Sequence, residues 1–375
     1  MSTELGTRAW VEVDASALRE NLRRIAHRVG PEARLIPMVK ADAYGLGVLQ
    51  AVDALEPMDP WGFGVAAVDE GLALRRHGVR RPVLVLSPAP REALEAAVAA
   101  ELEVSVSDAG TLDRLVALAE GGASPAFHLE VDTGMGRAGI PSAEAEHWIP
   151  LLERARAAGV RWAGCYTHLH SADESAGSVH EQWRRFEGAL GVLRARETGV
   201  LVHVLNSAGC MRCPEYGCDA VRPGIFLYGG GVGADQPRPE SVAALRARVV
   251  HVRDAAPGTP LGYGSTHRAV GHERWATVCI GYGDGLPRGL GNRGEALVRG
   301  RRAAIVGRIS MDVTVVDITD VPDVAVGDVV TFIGNDGDQR ITVDEVAEMV
   351  GTISYEVLTG LTPRVQRIWV HDSTR

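Results

Sequence analysis

Lys40 stands at the end of an apolar run, Leu35 to Val39, and a turn with Tyr44 and Gly45 follows it. A lysine at the end of a buried strand is costly unless it is neutralised or bonded. Held among apolar walls it gives up its proton more readily and can attack an aldehyde to form an imine. The plain alternative is a lysine that turns into solvent. Four more polar groups fall at the ends of apolar runs. Glu130, Asp132 and Arg137 surround the end of one run, His168 ends the next, Asn206-Ser207 the next, and Arg222-Pro-Gly-Ile225 lies in the last. Taken singly, His168 reads as a core histidine, Arg222 as a buried ion-pair partner and Asn206-Ser207 as a helix cap. A core has no need to place all of them on one rim.

The elements that carry these groups follow a strand–helix rhythm. Apolar runs near 35–40, 62–67, 82–87, 102–106, 126–132, 160–168, 201–206 and 220–228 read as buried strands. Helical periodicity lies between them, as in Val68–His77, Arg91–Ala100, Ala109–Ala119, Ala143–Ala158 and Val179–Arg196. An earlier helix over 15–29 has Asp14 as its expected N-cap. Nearly continuous apolar strands separated by helices imply a parallel sheet. Eight units favour an α/β fold of the closed (β/α)8 TIM-barrel type over an open doubly wound sheet with the same local pattern. Barrel chemistry sits at the strand ends, and the seventh and eighth units frequently hold phosphate there. A lysine facing such a phosphate cradle is the layout for pyridoxal 5'-phosphate.

After residue 235 the rhythm changes to short strands near 246–253, 275–281, 302–306, 313–318, 328–333 and 364–370, with one helix at Val343–Met349. The expected organisation is a barrel over 11–235 and a second, mostly β-strand domain over 236–375, with 1–10 added to it as a strand. With 39 basic and 48 acidic residues the net charge is −9, spread without a basic block. That argues against nucleic acid. No apolar run approaches a membrane span, and the first ten residues lack the apolar core of a signal peptide, so a cytoplasmic location is expected. The five cysteines, an odd number, argue against a disulfide framework. Cys210, Cys213 and Cys218 form a C-x2-C-x4-C cluster, but a fourth ligand at metal-site spacing is not evident, so they read as thiols and no metal is expected.

A series of motifs resembles the alanine racemase family. They are Val39-Lys-Ala-Asp-Ala-Tyr-Gly-Leu-Gly-Val48, Val131-Asp-Thr-Gly-Met-Gly-Arg137, Tyr166-Thr-His168, Asn206-Ser-Ala-Gly209, Val221-Arg-Pro-Gly-Ile225, Gly262-Tyr-Gly264, Gly281-Tyr-Gly-Asp-Gly285, Val306-Gly-Arg-Ile-Ser-Met-Asp312 and Ile353-Ser-Tyr-Glu356. The resemblance implies a pyridoxal-phosphate enzyme that interconverts L- and D-alanine for peptidoglycan. It implies a head-to-tail homodimer with shared active sites. Lys40 and Tyr263 of the partner subunit would be the two proton handlers. Tyr44, His168, Asn206, Ser207, Arg222, Gly224, Ile225 and Tyr355 match cofactor positions, with Arg222 facing the pyridine nitrogen. Arg137 and the Met311 backbone match substrate-carboxylate contacts, and Tyr282 with Tyr355 a narrow entrance. Asp312 is a supporting residue. Glu130 stands where the family often has a carbamylated lysine, and is expected to supply the same fixed charge toward Arg137. Leu46, His170 and His267 depart from the usual pattern. A broader racemase acting on serine, or a protein that carries the cofactor without turnover, are the alternatives.

Overall fold

A computed structural model of the chain describes residues 7–195 and 199–370. The expected helix end at Arg196 and most of the expected strand over 1–10 lie outside them, as do the last five residues.

Eight parallel strands stand side by side in the order Arg34–Leu35, Ala220–Arg222, Leu201–Asn206, Arg161–Tyr166, Ala126–Asp132, Glu103–Val106, Val83–Val85 and Phe63–Val65. The ring closes where Met38 bridges Gly64. There the Val39 N–H donates to the Gly64 carbonyl at 2.8 Å and the Gly64 N–H to the Pro37 carbonyl at 3.0 Å. The sheet is therefore a barrel and not an open sheet. Its strands are Val- and Leu-rich because side chains are covered on both faces, by helices outside and by packed side chains inside. Phe63, Val83, Val104 and Phe127 are fully buried. The helix Ala15–Val29 begins as expected. The Asp14 carboxylate accepts from the N–H groups of Ser16 and Ala17, and Leu18, Leu22 and Ile25 face inward.

The last expected barrel strand is shorter than its apolar run. It stops at Arg222, and Ile225–Tyr228 forms a 3-10 turn. Pro223 removes a donor and Gly224 lets the chain bend away, which ends the ladder.

The second unit is built on a long strand, Ala243–Ala255. It pairs antiparallel with Ala9–Asp14, Glu273–Val278 and Val329–Asp336. Ala9–Asp14 also pairs in parallel with Gln366–Val370, so both ends of the described chain meet in this sheet. Four short strands, Pro260–Leu261, His267–Arg268, Glu295–Val298 and Gln339–Ile341, and a helix, Ser354–Thr359, add to the expected list.

The segment after Lys40 has an unusual backbone. Ala41, Asp42, Ala43 and Tyr44 have φ of 51°, 54°, 52° and 56°, a left-handed turn made without glycine. Each such residue costs on the order of 1–2 kcal/mol. The Glu70 carboxylate holds the entry by accepting from the N–H groups of Ala41 at 2.6 Å and Ala66 at 2.7 Å. Asp42 holds the exit by accepting from the Val48 N–H at 2.8 Å. The second unit clamps it from outside: Arg367 donates to the Gly45 carbonyl at 2.9 Å and the Trp369 indole to that of Leu46 at 3.1 Å. Ala41 is exposed, so Ala41→Gly removes strain without opening a cavity. The expected result is a gain of about 1 kcal/mol, read as a higher urea midpoint at unchanged slope. An unchanged or lower midpoint would show that the turn is not strained.

Candidate active site

A cleft of about 870 Å³, counted to its open mouth, lies at the C-terminal ends of the barrel strands. Lys40, Tyr44, Glu130, Arg137 and His168 line it, and so do Asn206, Ser207, Arg222, Gly224, Ile225 and Tyr355. Lys40, Glu130, Arg137, His168, Asn206, Ser207 and Arg222, which the sequence placed on a single rim, meet here; Asp132 does not line the cleft, and Tyr355 reaches it from the helix Ser354–Thr359 of the second unit.

Lys40 enters at the start of the left-handed turn. Burial pushes its ammonium below the usual lysine range, and the charges of Arg137 and Arg222 act in the same direction, against Glu70. The amine is thus more easily deprotonated and more nucleophilic.

Other loops form a cradle in the same cleft. The Ser207 hydroxyl oxygen accepts from the N–H of Gly224 at 2.7 Å and of Phe226 at 3.3 Å. Its own proton is left to donate. At Gly224 a side-chain Cβ would lie 2.1 Å from the Tyr44 hydroxyl, so glycine is required for the two segments to meet. The Tyr44 ring stacks on Tyr228 with centroids 4.6 Å apart, and the Tyr228 hydroxyl donates to the Met38 carbonyl at 2.8 Å. Burial pushes the Tyr44 phenol upward, so it stays a neutral donor. Asn206 keeps its plain reading in part: its side-chain oxygen caps the helix Ser207–Arg212 by accepting from the Gly209 N–H at 2.9 Å.

Behind the cleft Arg222 is buried, and it is tied to backbone carbonyls: those of Thr167 at 2.8 Å, His203 at 2.9 Å and Val204 at 3.1 Å. Among the described residues it has no ion pair of the kind its plain reading required. Burial, with Arg222, Arg137 and Lys40 nearby, holds the His168 imidazole well below its usual range, so it is neutral at neutral pH. Glu130 lines the same cleft as Arg137. Its carboxylate accepts from the Ser107 hydroxyl at 3.0 Å, and among the described ion pairs none joins it to Arg137. Burial pushes its carboxyl up, against the hydrogen bonds of Ser107 and Tyr166 and the charges of Arg222 and Arg137.

Tyr263, Tyr282, Met311 and Asp312 lie in the second unit and do not line this cleft. Tyr263 is 70% exposed on the turn Tyr263–Ser265, and Met311 is 51% exposed. Asp312 pairs with Arg364 at 2.7 Å. Sequence reasoning missed His203 and Ser105, which lie inside strands read as plain apolar runs. It also passed over His180 and Glu215, whose ligand atoms fall within 4.8 Å of one another and of Cys213, a residue the sequence read as a plain thiol, outside the cleft lining.

A closed parallel barrel with a polar cleft at its strand ends, continued by a β domain, defines a two-domain barrel enzyme acting on a small molecule. Comparison with known proteins makes this specific. The model for the alanine racemase N-terminal domain matches residues 13–231, and that for the alanine racemase C-terminal domain matches 242–369. An alanine racemase of Syntrophobacter fumaroxidans is 36% identical over 94% of this chain and 95% of its own. The crystal structure of alanine racemase from Bacillus anthracis with bound L-Ala-P superposes with a TM-score of 0.90 at 33% identity, covering 99% of this chain and 97% of that one. That of alanine racemase from Bartonella henselae with covalently bound pyridoxal phosphate superposes with a TM-score of 0.89 at 29% identity, covering 97% and 100%. The chain belongs to the alanine racemase family.

Proposed function

We propose that this protein racemises alanine with pyridoxal 5'-phosphate held at Lys40. The observation that carries the reading is the placement of an acidified lysine in the same cleft as the Ser207–Gly224 cradle, with a buried arginine behind. The residues fit the cofactor. Lys40 would hold its aldehyde carbon. The Ser207 hydroxyl, the Tyr44 hydroxyl and the backbone near Gly224 and Ile225 would hold the phosphate, and Arg222 would face the pyridine nitrogen. When bound, this cofactor withdraws electrons from an attached amino acid and acidifies its Cα–H.

The chain's own groups then manage the proton. Lys40, with its lowered pKa, removes or returns a proton on one face. Tyr263 of the partner subunit serves the opposite face; in a single chain it stands exposed and away from the cleft. A homodimer with shared sites follows from this reading. Arg137 and the Met311 backbone of the partner subunit orient the substrate carboxylate. Tyr355, with the partner subunit's Tyr282, narrows the entrance and favours a small side chain. A permanent cation at Arg222 opposes protonation of the pyridine nitrogen, which restrains side reactions such as transamination. The barrel would span 11–235 and the β domain 236–375 with 1–10. Among the described residues no helix is long and apolar enough to cross a membrane. The enzyme would work in the cytoplasm and supply D-alanine for peptidoglycan.

Purified protein tested by visible spectrum and by a chiral assay over the twenty amino acids decides this. Bound-cofactor absorbance with L- to D-alanine conversion fastest is expected. Serine turned over faster would shift the reading to the broader racemase, and absorbance without any turnover to a cofactor carrier.

A further inference from the structure

The hydrogen bonds of Arg222 do not stop at its carbonyls. Its Nη1 also lies 2.6 Å from Nδ1 of His203. The other nitrogen of that ring, Nε2, lies 2.8 Å from Nδ1 of His128. Nε2 of His128 lies 2.7 Å from Oε2 of Glu103. Oε1 of Glu103 meets Arg161 at 2.5 Å. His203, His128 and Glu103 are 0%, 1% and 5% exposed, and only Arg161 reaches water. Arg222 ends its strand at the cleft, whereas Glu103 and Arg161 begin theirs at the opposite end. The chain of contacts therefore runs down the barrel interior from cleft to floor.

The barrel is shaped to admit it. A Cβ at Gly164 would lie 2.0 Å from Nδ1 of His128, so glycine leaves the space the ring occupies. The Tyr166 ring lies against His203 at 4.9 Å and 9°, and the guanidinium carbon of Arg222 sits 5.0 Å from the centre of the same ring.

The direction of every bond is forced. A guanidinium can only donate. Nδ1 of His203 must therefore accept, which puts the ring's single proton on Nε2. That N–H donates to His128, whose Nδ1 must accept and whose proton also sits on Nε2. It donates in turn to Glu103, which must be an ionised carboxylate to accept from both His128 and Arg161. The electrostatics agree. Burial, followed by the charge of Arg222, keeps His203 from protonating. Burial alone would raise the Glu103 carboxyl, but hydrogen bonds from His128 and Arg161 outweigh it and hold the group below the usual range.

We infer that His128 and Glu103 are positioning residues for Arg222. A one-way chain, Arg222 to His203 to His128 to Glu103, fixes the cation at the cleft against a carboxylate at the barrel floor. A buried cation without a nearby counter-charge is expensive. Here the carboxylate reached through hydrogen bonds is set two imidazoles away, and among the described residues none hydrogen-bonds to the guanidinium directly; Glu130, in the same cleft, acts on it through its charge. Linked bonds in a low dielectric also polarise one another. What Arg222 does to the cofactor rests on the function proposed above; the chain itself does not.

Two measurements on the holoenzyme test this. The first is nitrogen NMR of the protein labelled with 15N-histidine. His128 and His203 are expected to be neutral Nε2–H tautomers throughout neutral pH; an Nδ1–H form or an imidazolium at either position overturns the inference. The second is Glu103→Gln, which keeps the shape and removes the charge. A drop in kcat for alanine of about tenfold with KM within about twofold is expected, together with a shifted visible band of the bound cofactor. Unchanged kcat and spectrum overturn it even if the melting temperature falls, because a purely structural carboxylate would give that pattern. Should the wild-type protein fail to racemise alanine, the functional proposal falls while the tautomer result still decides the chain.

Discussion

Lys40→Ala leaves a protein without covalently held cofactor and without measurable racemisation of alanine. The lysine is proposed both as the attachment point and as one of two proton handlers. Its loss therefore exceeds that of a general base alone, and a fall of at least roughly 10⁴-fold is expected. The hydrogen bond that builds the cradle joins Ser207 and Gly224 and does not involve Lys40, so residual non-covalent binding is expected, with the spectrum of the free aldehyde. A variant that keeps the wild-type band and activity would remove Lys40 from the mechanism. The lowered pKa sharpens the point. At neutral pH the folded protein disfavours the charged form of this side chain, and that disfavour fades as pH rises toward the ordinary lysine range. Alanine at position 40 removes it, so the apo variant is expected to melt no lower than apo wild type, and loss of activity cannot be put down to unfolding.

Tyr263→Phe separates the second proton handler from the first. Cofactor binding and its absorbance should persist, while racemisation falls by roughly 10²–10⁴-fold, the range of a general base. Tyr263 is 70% exposed in the single chain and absent from its cleft, so its action requires a second copy. Mixing the Lys40→Ala and Tyr263→Phe proteins after dissociation provides the decisive arm. A hybrid dimer contains one site with both an intact lysine and an intact tyrosine, and activity should return. If mixing restores nothing, the two groups do not meet across an interface. If Tyr263→Phe alone is fully active, the opposed-face scheme ends.

The residues that could be read from sequence share one property: they interrupt a pattern. Lys40 breaks an apolar run at its end, Asp14 stands before a helical period, and Arg222 precedes a Pro-Gly pair. Asp14 caps its helix and Arg222 lies in its strand as expected, whereas Lys40 opens the left-handed turn, the strand before it having ended at Leu35. His128, Glu103 and His203 were passed over because they lie inside strands that read as continuous apolar runs. Their signal was period two, not position. Glu103 and Ser105, then Ala126, His128 and Glu130, alternate with apolar neighbours, and the register brings Ser105 beside His128 and Tyr166 beside His203. That alternation marks the inward face of a barrel, and it becomes meaningful only once the sheet is known to close. The left-handed turn was not legible, because Ala, Asp, Ala and Tyr do not announce a positive φ; its cause is tertiary. Tyr263 and Met311 are proposed through motif resemblance alone, since a single chain leaves them on its surface.

The turn from Ala41 to Tyr44 has one more consequence, for the order in which the molecule assembles. Four left-handed residues together cost on the order of 4–8 kcal/mol, similar to the whole stability of many domains. Contacts from Arg367 and Trp369, near the end of the chain, help to hold them. A nascent barrel released without those late residues holds the turn by the Glu70 and Asp42 contacts alone. Two of the contacts that hold the turn are thus made only once almost the whole chain is present.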